Sequence, residues 1–412
     1  MGFYMSTPLA IRGADDLQYV FQNLRYFKIR GADDLQYVFP HSIARLLVNL
    51  EELNIARCWS METIVRSADE NEKEDQTGMT LFPKLNSFDL RRLPSLESLE
   101  SPDASTSLWS AAKIMFVRDC DKLKTLASVI PQIKKLEKDS TAHHEDEDED
   151  EGILSGSCGC TSYSCGPMTK PTSRRNIVQI LPRPVNQEVA PTNLDQDSND
   201  YDNLERLSVK YCESLEVVFQ LKGPKDVESH NVQAFNKLRN LSLYNLPSLM
   251  HVWETGGSHH ITGFGNLTFL SVSLCGSLRY LFLSTVAKLL VNLEDLKVGN
   301  CKKIKQVIAK ADTECADQEI TFPRLYSMTL KDLPNLICFS TEAYTLKLPS
   351  LMELNVIRCP DLRTFAPKFV NTHSRIQVHT ELGQSEWMGD LNSTIGNIHE
   401  KRRPNSNEIV EI

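Results

Sequence analysis

No apolar run of about eighteen residues occurs in the 412-residue chain, which excludes a membrane-spanning helix. Basic residues are in the minority: 45 Lys and Arg face 54 Asp and Glu, and the net charge of −9 argues against a general polyanion binder. With 18 Gly and 19 Pro, the chain is neither collagenous nor of low complexity throughout. The phosphate loop G-x-x-x-x-G-K-[ST] is missing, since Gly223-Pro224-Lys225 has the wrong order. A nucleophile elbow is missing too: the SGSCG stretch at 155–159 lacks G-x-S-x-G spacing and a strand before it. The first ten residues have neither the charged start nor the apolar core of a secretory signal. Met1-Gly2 followed by Ser6 fits a loose N-myristoylation pattern, but the bulky Phe3 beside the glycine disfavours it. These absences leave an acidic, folded, non-enzymatic chain.

What is present is a repeat. Leu50, Leu53, Ile55, Cys58, Met61 and Ile64 recur as Leu204, Leu207, Val209, Cys212, Leu215 and Val218. The same spacing returns from Leu267 to Leu281, from Leu293 to Val307, and from Leu351 to Phe365. Three further copies put leucine in place of cysteine with proline behind it, at Leu93-Pro94, Leu246-Pro247 and Leu333-Pro334. Weaker copies begin at Leu24 and around Met115, making ten units that lie 26 to 35 residues apart outside one long gap. This is the leucine-rich-repeat template. Its L-x-L pair alternates with period two and predicts a short strand per unit. A single coil cannot bury its apolar face, so coils stack into a solenoid: a curved α/β repeat with a parallel sheet on the concave side and an irregular or short helical convex side.

The pattern divides the chain into five stretches: a frayed start at 1–20, a first repeat block at 21–130, an insert at 131–200, a second block at 201–370, and a polar tail at 371–412. The insert carries EDEDEDE at 145–151, a Cys-rich stretch, and scattered prolines. It has too little apolar material to offset the entropy of ordering, so it reads as mostly disordered, with a short strand allowed at 177–181. One interrupted array is favoured over two. The segment IRGADDLQYVF occurs letter for letter at 11–21 and 29–39. Six of the 11 cysteines fall at one repeat position, which marks them as small buried apolar residues with reduced thiols. Cys158, Cys160 and Cys165 reach only C-x-C-x4-C, and even with His143 or His144 they read as free thiols rather than a zinc site. His251, His259 and His260 read as an exposed turn.

On each strand the residues flanking the inward pair face outward. Over the three outward columns, eight are basic (Lys28, Arg30, Arg91, Arg118, Arg206, Lys210, Lys297, Lys331) and four acidic (Glu52, Asp89, Asp295, Glu353). This face is therefore about +4 on a chain of −9, and an acidic partner, or the tract at 145–151, fits it by charge. Tyr26, Phe116, Tyr244 and Phe269 in the same columns are natural anchors for protein contact. The competing reading is an ordinary solvated surface.

The alternation of L-x-x-L-x-[VI]-x-x-C with F-P-x-L and L-P-x-L units, led by LLVNLEEL at 46–53 and LLVNLEDL at 289–296, resembles the repeats of plant resistance proteins. Those are intracellular nucleotide-binding leucine-rich-repeat immune receptors of the coiled-coil class, and the resemblance spans roughly 20–370. It implies a cytoplasmic or nuclear defence protein. Its repeats would bind a pathogen effector, a guarded host protein, or a nucleotide-binding switch domain. It implies no cofactor, with ADP or ATP entering only through a switch domain on a longer chain. A truncated decoy or regulatory remnant fits the same residues. A ubiquitin-ligase recruiting subunit needs an F-box-like segment, for which residues 1–20 leave no room. An extracellular ectodomain needs a signal peptide and cysteine caps, and the sequons at Asn240, Asn266 and Asn392 read as coincidence.

Overall fold

The structure, a computed structural model, describes residues 20–66, 81–97, 111–123, 203–222, 232–256, 261–311, 319–341, 344–381, 383 and 385–402. Each of the ten repeat units folds as a five-residue strand: β1 (Tyr26–Arg30), β2 (Glu52–Ala56), β3 (Ser87–Arg91), β4 (Ile114–Arg118), β5 (Arg206–Lys210), β6 (Asn240–Tyr244), β7 (Phe269–Ser273), β8 (Asp295–Gly299), β9 (Ser327–Lys331) and β10 (Glu353–Ile357). With β11 (Gln377–His379) and β12 (Ser385–Glu386) they form one twelve-stranded sheet in chain order. Every neighbouring pair is parallel except the last. Although 92 residues separate Ile114 from Arg206, β4 pairs directly with β5, Ile114 opposite Arg206 and Arg118 opposite Lys210. The chain thus leaves one rung and re-enters at the next.

The period-two pattern explains the core. From β2 to β10 the second and fourth residues of each strand are buried, as in Leu53 and Ile55 or Leu354 and Val356. On β1 the equivalent Phe27 and Ile29 are only half buried, and among the described residues that rung has one neighbour.

After each strand the chain bends through a left-handed residue, at Gly31, Arg57, Arg92, Asp119, Tyr211, Asn245, Leu274, Asn300, Asp332 and Arg358. Half of these are Gly, Asn or Asp, which tolerate that conformation best. The backbone N–H there carries the ladder one step past the strand, as when Asp119 N–H donates to the Lys210 carbonyl.

The cysteine follows directly. The thiols of Cys58, Cys120, Cys212, Cys275, Cys301 and Cys359 each donate to the carbonyl two residues back, at 3.2 to 3.5 Å. All six, with Cys338, are free and buried. Burial pushes Cys212 up to about 12 and Cys359 to about 11. For Cys275 the Cys301 side chain, with burial behind it, also raises the thiol. The hydrogen bond with Cys275 lowers Cys301, but all seven sulfurs are buried away from reagent. These seven are therefore expected to stay unmodified by iodoacetamide at pH 8 until the chain unfolds, leaving at most four of the eleven reactive. Peptide mapping before and after denaturant checks this, and fast labelling of Cys212 would contradict the packing.

The return side carries short parallel ladders, such as Val217–Lys222 beside His251–Gly256. Two single helical turns join them, α1 (His41–Ala44) and α2 (Ser284–Ala287). Inside it runs a row of aromatic rings. Phe219 lies 4.7 Å from Phe235, 5.2 Å from Phe264 and 5.9 Å from Trp253, and Phe282 continues the row to Phe322 at 6.1 Å. Asparagine side chains stitch successive coils together, Asn266 to the Asn236 carbonyl and Asn292 to that of Gly265, both at 2.6 Å.

The stretch after 370, read from the sequence as a loose polar tail, is folded through residue 402. Beyond β11 and β12, α3 (Leu391–Arg402) buries Leu391, Thr394, Ile395 and Ile398 against the last coil. Its apolar residues are spaced for a helix, so the repeat template passes over them. Arg402 donates to the carbonyls of Val356 and Cys359, both at 3.1 Å, and to Glu381. Burial pushes the Glu381 carboxyl up, but the Arg402 guanidinium outweighs it and holds the group below its ordinary value. A depressed carboxylate stabilises above its unfolded pKa and loses that contribution as pH falls through the folded one. The end of the array is therefore expected to loosen below about pH 4, the ordinary carboxylate range. Arg402→Ala should cost about 2 kcal/mol locally and speed amide exchange in α3 at neutral pH. Unchanged exchange in that variant would contradict the clamp.

Candidate recognition surface

The strand register turns the outward residues into three files running across the sheet. The first file reads Tyr26, Glu52, Ser87, Ile114, Arg206, Asn240, Phe269, Asp295, Ser327, Glu353. The last reads Arg30, Ala56, Arg91, Arg118, Lys210, Tyr244, Ser273, Gly299, Lys331, Ile357. All twelve residues singled out from the sequence lie on these outward positions, where they are exposed or half buried.

They fall into three groups. Tyr26, Lys28 and Arg30 sit on the edge strand β1. Arg91, Phe116, Arg118, Arg206, Lys210 and Tyr244 occupy four adjacent strands, β3 to β6. Phe269, Lys297 and Lys331 lie on β7 to β9, with the Lys297 ammonium 5.1 Å from the centre of the Phe269 ring.

Local pairing divides the basic residues in a way that counting does not reveal. Arg91 donates to Asp89 on its own strand at 2.8 and 2.6 Å, a forked pair that raises the guanidinium pKa. Lys297 is held likewise by Asp295 at 2.6 Å. Arg118 lies 3.4 Å from Asp119, which also approaches Arg92 at 3.6 Å. Arg206 and Lys210 have no ion-pair partner among the described residues, while Lys331 helps to hold the neighbouring Asp332 carboxyl down, behind the stronger hold of Arg358. Carboxylates two residues along the same face therefore neutralise two of the eight cations.

One participant escaped the sequence reading. Tyr211, in the left-handed bend after β5, lies under the Arg118 guanidinium at 5.0 Å and meets the Tyr244 ring edge-on at 5.4 Å. The recurrence of Gly, Asp and Asn one residue past the strands was the available signal that this position abuts the face. His251 is paired with Tyr280, whose hydroxyl is 3.1 Å from its Nδ1, while His259 and His260 lie outside the described residues. Among the described residues no three His, Cys, Asp or Glu side chains gather as metal ligands. Cys158, Cys160 and Cys165, with His143 and His144, lie outside them, as does the tract at 145–151. The sequon residue Asn392 accepts the backbone N–H of Phe365 and Ala366 at 3.0 Å, so its side chain is occupied within the fold. No helix among the described residues is long and apolar enough to cross a membrane.

A family model described as "plant disease resistance protein RPS2-like, leucine-rich repeats" matches residues 9–140, 185–302 and 289–374. A protein of Arabidopsis thaliana, described as a disease resistance protein, is 27% identical over 168 residues, covering 40% of this chain and 12% of that protein. The chain thus spans only a small part of that relative's length. Ten in-register strands with repeating cysteine bends and a match over most of the sequence lead to one conclusion: the chain belongs to the RPS2-like leucine-rich-repeat family of plant disease resistance proteins.

Proposed function

We propose that the outward files form the concave surface through which this module binds a pathogen effector or a guarded host protein. The observation that carries the reading is the separation of roles on each strand. From β2 to β10 the inward residues are buried, whereas outward ones vary freely and the ten strands carry four large aromatics and eight cations outward that folding does not require. Exposed aromatics on a rigid sheet lose little entropy on docking, which suits them as anchors. The module acts by binding alone, in the cytoplasm or nucleus, with no catalytic residue of its own. Its repeats run from 21 to 130 and from 201 to 370, and the insert 131–200 lies between them. In a longer receptor it would restrain and release a nucleotide-binding domain, and ADP or ATP would be bound there rather than here.

The test is partner capture from plant extract by the full chain and by Tyr26→Ala, Tyr244→Ala and Phe269→Ala combined. The triple variant is expected to melt like the parent yet lose its captured proteins by tenfold or more. Equal capture would remove the reading. Full-length cDNA and a blot against the repeats decide the setting: a product near 47 kDa means a free-standing module, a much larger one the sensor end of a receptor.

A further inference from the structure

We infer that the outward face of β4 and β5 is the docking site for an extended, acidic segment of a partner protein. This rests on the reading above and specifies the partner's chemistry. The six outward positions of these two strands are Ile114, Phe116 and Arg118, then Arg206, Ser208 and Lys210. They hold three cations and one aromatic ring, and no carboxylate. No other adjacent pair from β2 to β10 does this: β3 brings Asp89 locked to Arg91, and β8 brings Asp295 locked to Lys297. On a chain of net −9, positive charge is thus gathered at the middle of the sheet, where Arg206 and Lys210 have no ion pair among the described residues and Arg118 shares Asp119 with Arg92.

The site is also preformed. Arg91, Arg118 and Lys210 stand on consecutive strands in register, at the strand spacing of about 4.8 Å. Tyr244 follows on β6. Tyr211 supports the Arg118 guanidinium from below at 5.0 Å and is itself braced by Tyr244 at 5.4 Å. The side chain remains about half exposed, at 49%, so the plane of its donor fork is set while its outer edge faces solvent. Same-side residues of an extended peptide repeat every 6.5 to 7 Å or so, a spacing that long Arg and Lys side chains can bridge from successive rungs. Asp119, Asp121 and Glu213 lie beyond the strand ends, on the bend, where Asp121 is raised by burial and by Glu213. They repel an acidic chain from that edge and direct it across Phe116 toward Arg206.

Exposed ion pairs are weak singly and screened by salt, so binding should be fast and salt-sensitive. The probe is a fluorescent peptide of alternating Glu and Ser, with a Gln–Ser peptide as control, read by anisotropy against the full chain. The Glu peptide is expected to bind at low salt and dissociate at 0.5 M salt (on the order of a 3 Å Debye length or slightly above), while the Gln peptide does not bind. The double reversal Arg118→Glu with Lys210→Glu should weaken binding at least tenfold. The same charge change at Lys302 and Lys303, exposed on the bend after β8, should change it less than twofold. Arg118→Gln alone, with an unaltered melting midpoint, guards against misfolding and should still weaken binding severalfold. Equal losses at both pairs would mean diffuse charge and overturn the site. Absence of Glu-peptide binding, both in the full chain and after the acidic residues at 145–151 are changed to Gln and Asn, would overturn it as well. Binding seen only after that neutralisation would assign the site to the chain's own tract and overturn the partner assignment. If aromatic variants still lose captured proteins while the peptide fails to bind, only this inference falls and the broader reading stands.

Discussion

Phe219→Ala is expected to lower stability by about 3–5 kcal/mol and the thermal midpoint by roughly 10 °C. Phe219 is fully buried and touches three other rings, Phe235, Trp253 and Phe264, which belong to neighbouring segments of the return side. Truncation leaves a void that those rings cannot fill without leaving their own packing positions, and interiors this dense relax only partly. Phe219→Leu keeps most of the volume and should cost less than half as much. Trp253 sharpens the case: its ring is only 2% exposed and lies 5.9 Å from Phe219 and 5.7 Å from Phe264. A calorimetric shift under about 2 °C for Phe219→Ala would mean that the aromatic row does not stabilise the array.

A second large effect is expected at the junction. Leu207→Asp places a carboxylate at a fully buried position on β5, opposite Met115 of β4. An unpaired buried charge costs several kcal/mol, and here the loss falls on the strand pairing that, among the described residues, joins the first four rungs to the rest. In a nearest-neighbour array, stability is a sum of coil and interface contributions. Four coils with a half-buried edge strand are marginal alone, so β1–β4 should lose amide-exchange protection and melt as a separate, earlier transition. If the blocks on either side of the insert were independent, the first would be unaffected and only β5 and its C-terminal neighbours would respond.

The strands were legible in the sequence to the residue, because a parallel ladder tolerates no drift. Each coil must return its L-x-L to the same register, so selection for stacking writes the period into the chain. The outward files followed by simple alternation. Other features were not legible, each for a definite reason. The rings of the aromatic row recur at two fixed offsets, with Phe39, Phe219, Trp253 and Phe282 nine residues past a strand and Phe82, Phe235, Phe264 and Phe322 five before one. The strand template stops short of both, and which rings meet depends on loops of unequal length. The pairing of Asp89 with Arg91 and Asp295 with Lys297 requires knowing that residues two apart share a face and adopt facing rotamers. Helix α3 has a different period from the repeats it covers. The duplicated segment shows context overriding sequence. Its Val-Phe end lies in a helical turn at 20–21 but at 38–39 enters the return side, where Phe39 is buried and opposes Val65.

The direct measurement of where a partner docks is site-specific photo-crosslinking. A photoreactive residue is placed singly at Ser242 and Ser271, on the middle outward file, and at Met250 and Asn335, on the return side. Each chain is irradiated in plant extract, and adducts are read by mass spectrometry. Partner adducts from Ser242 and Ser271, and none from Met250 or Asn335, are expected if the sheet face is the recognition surface. Adducts from the return-side positions alone would contradict it.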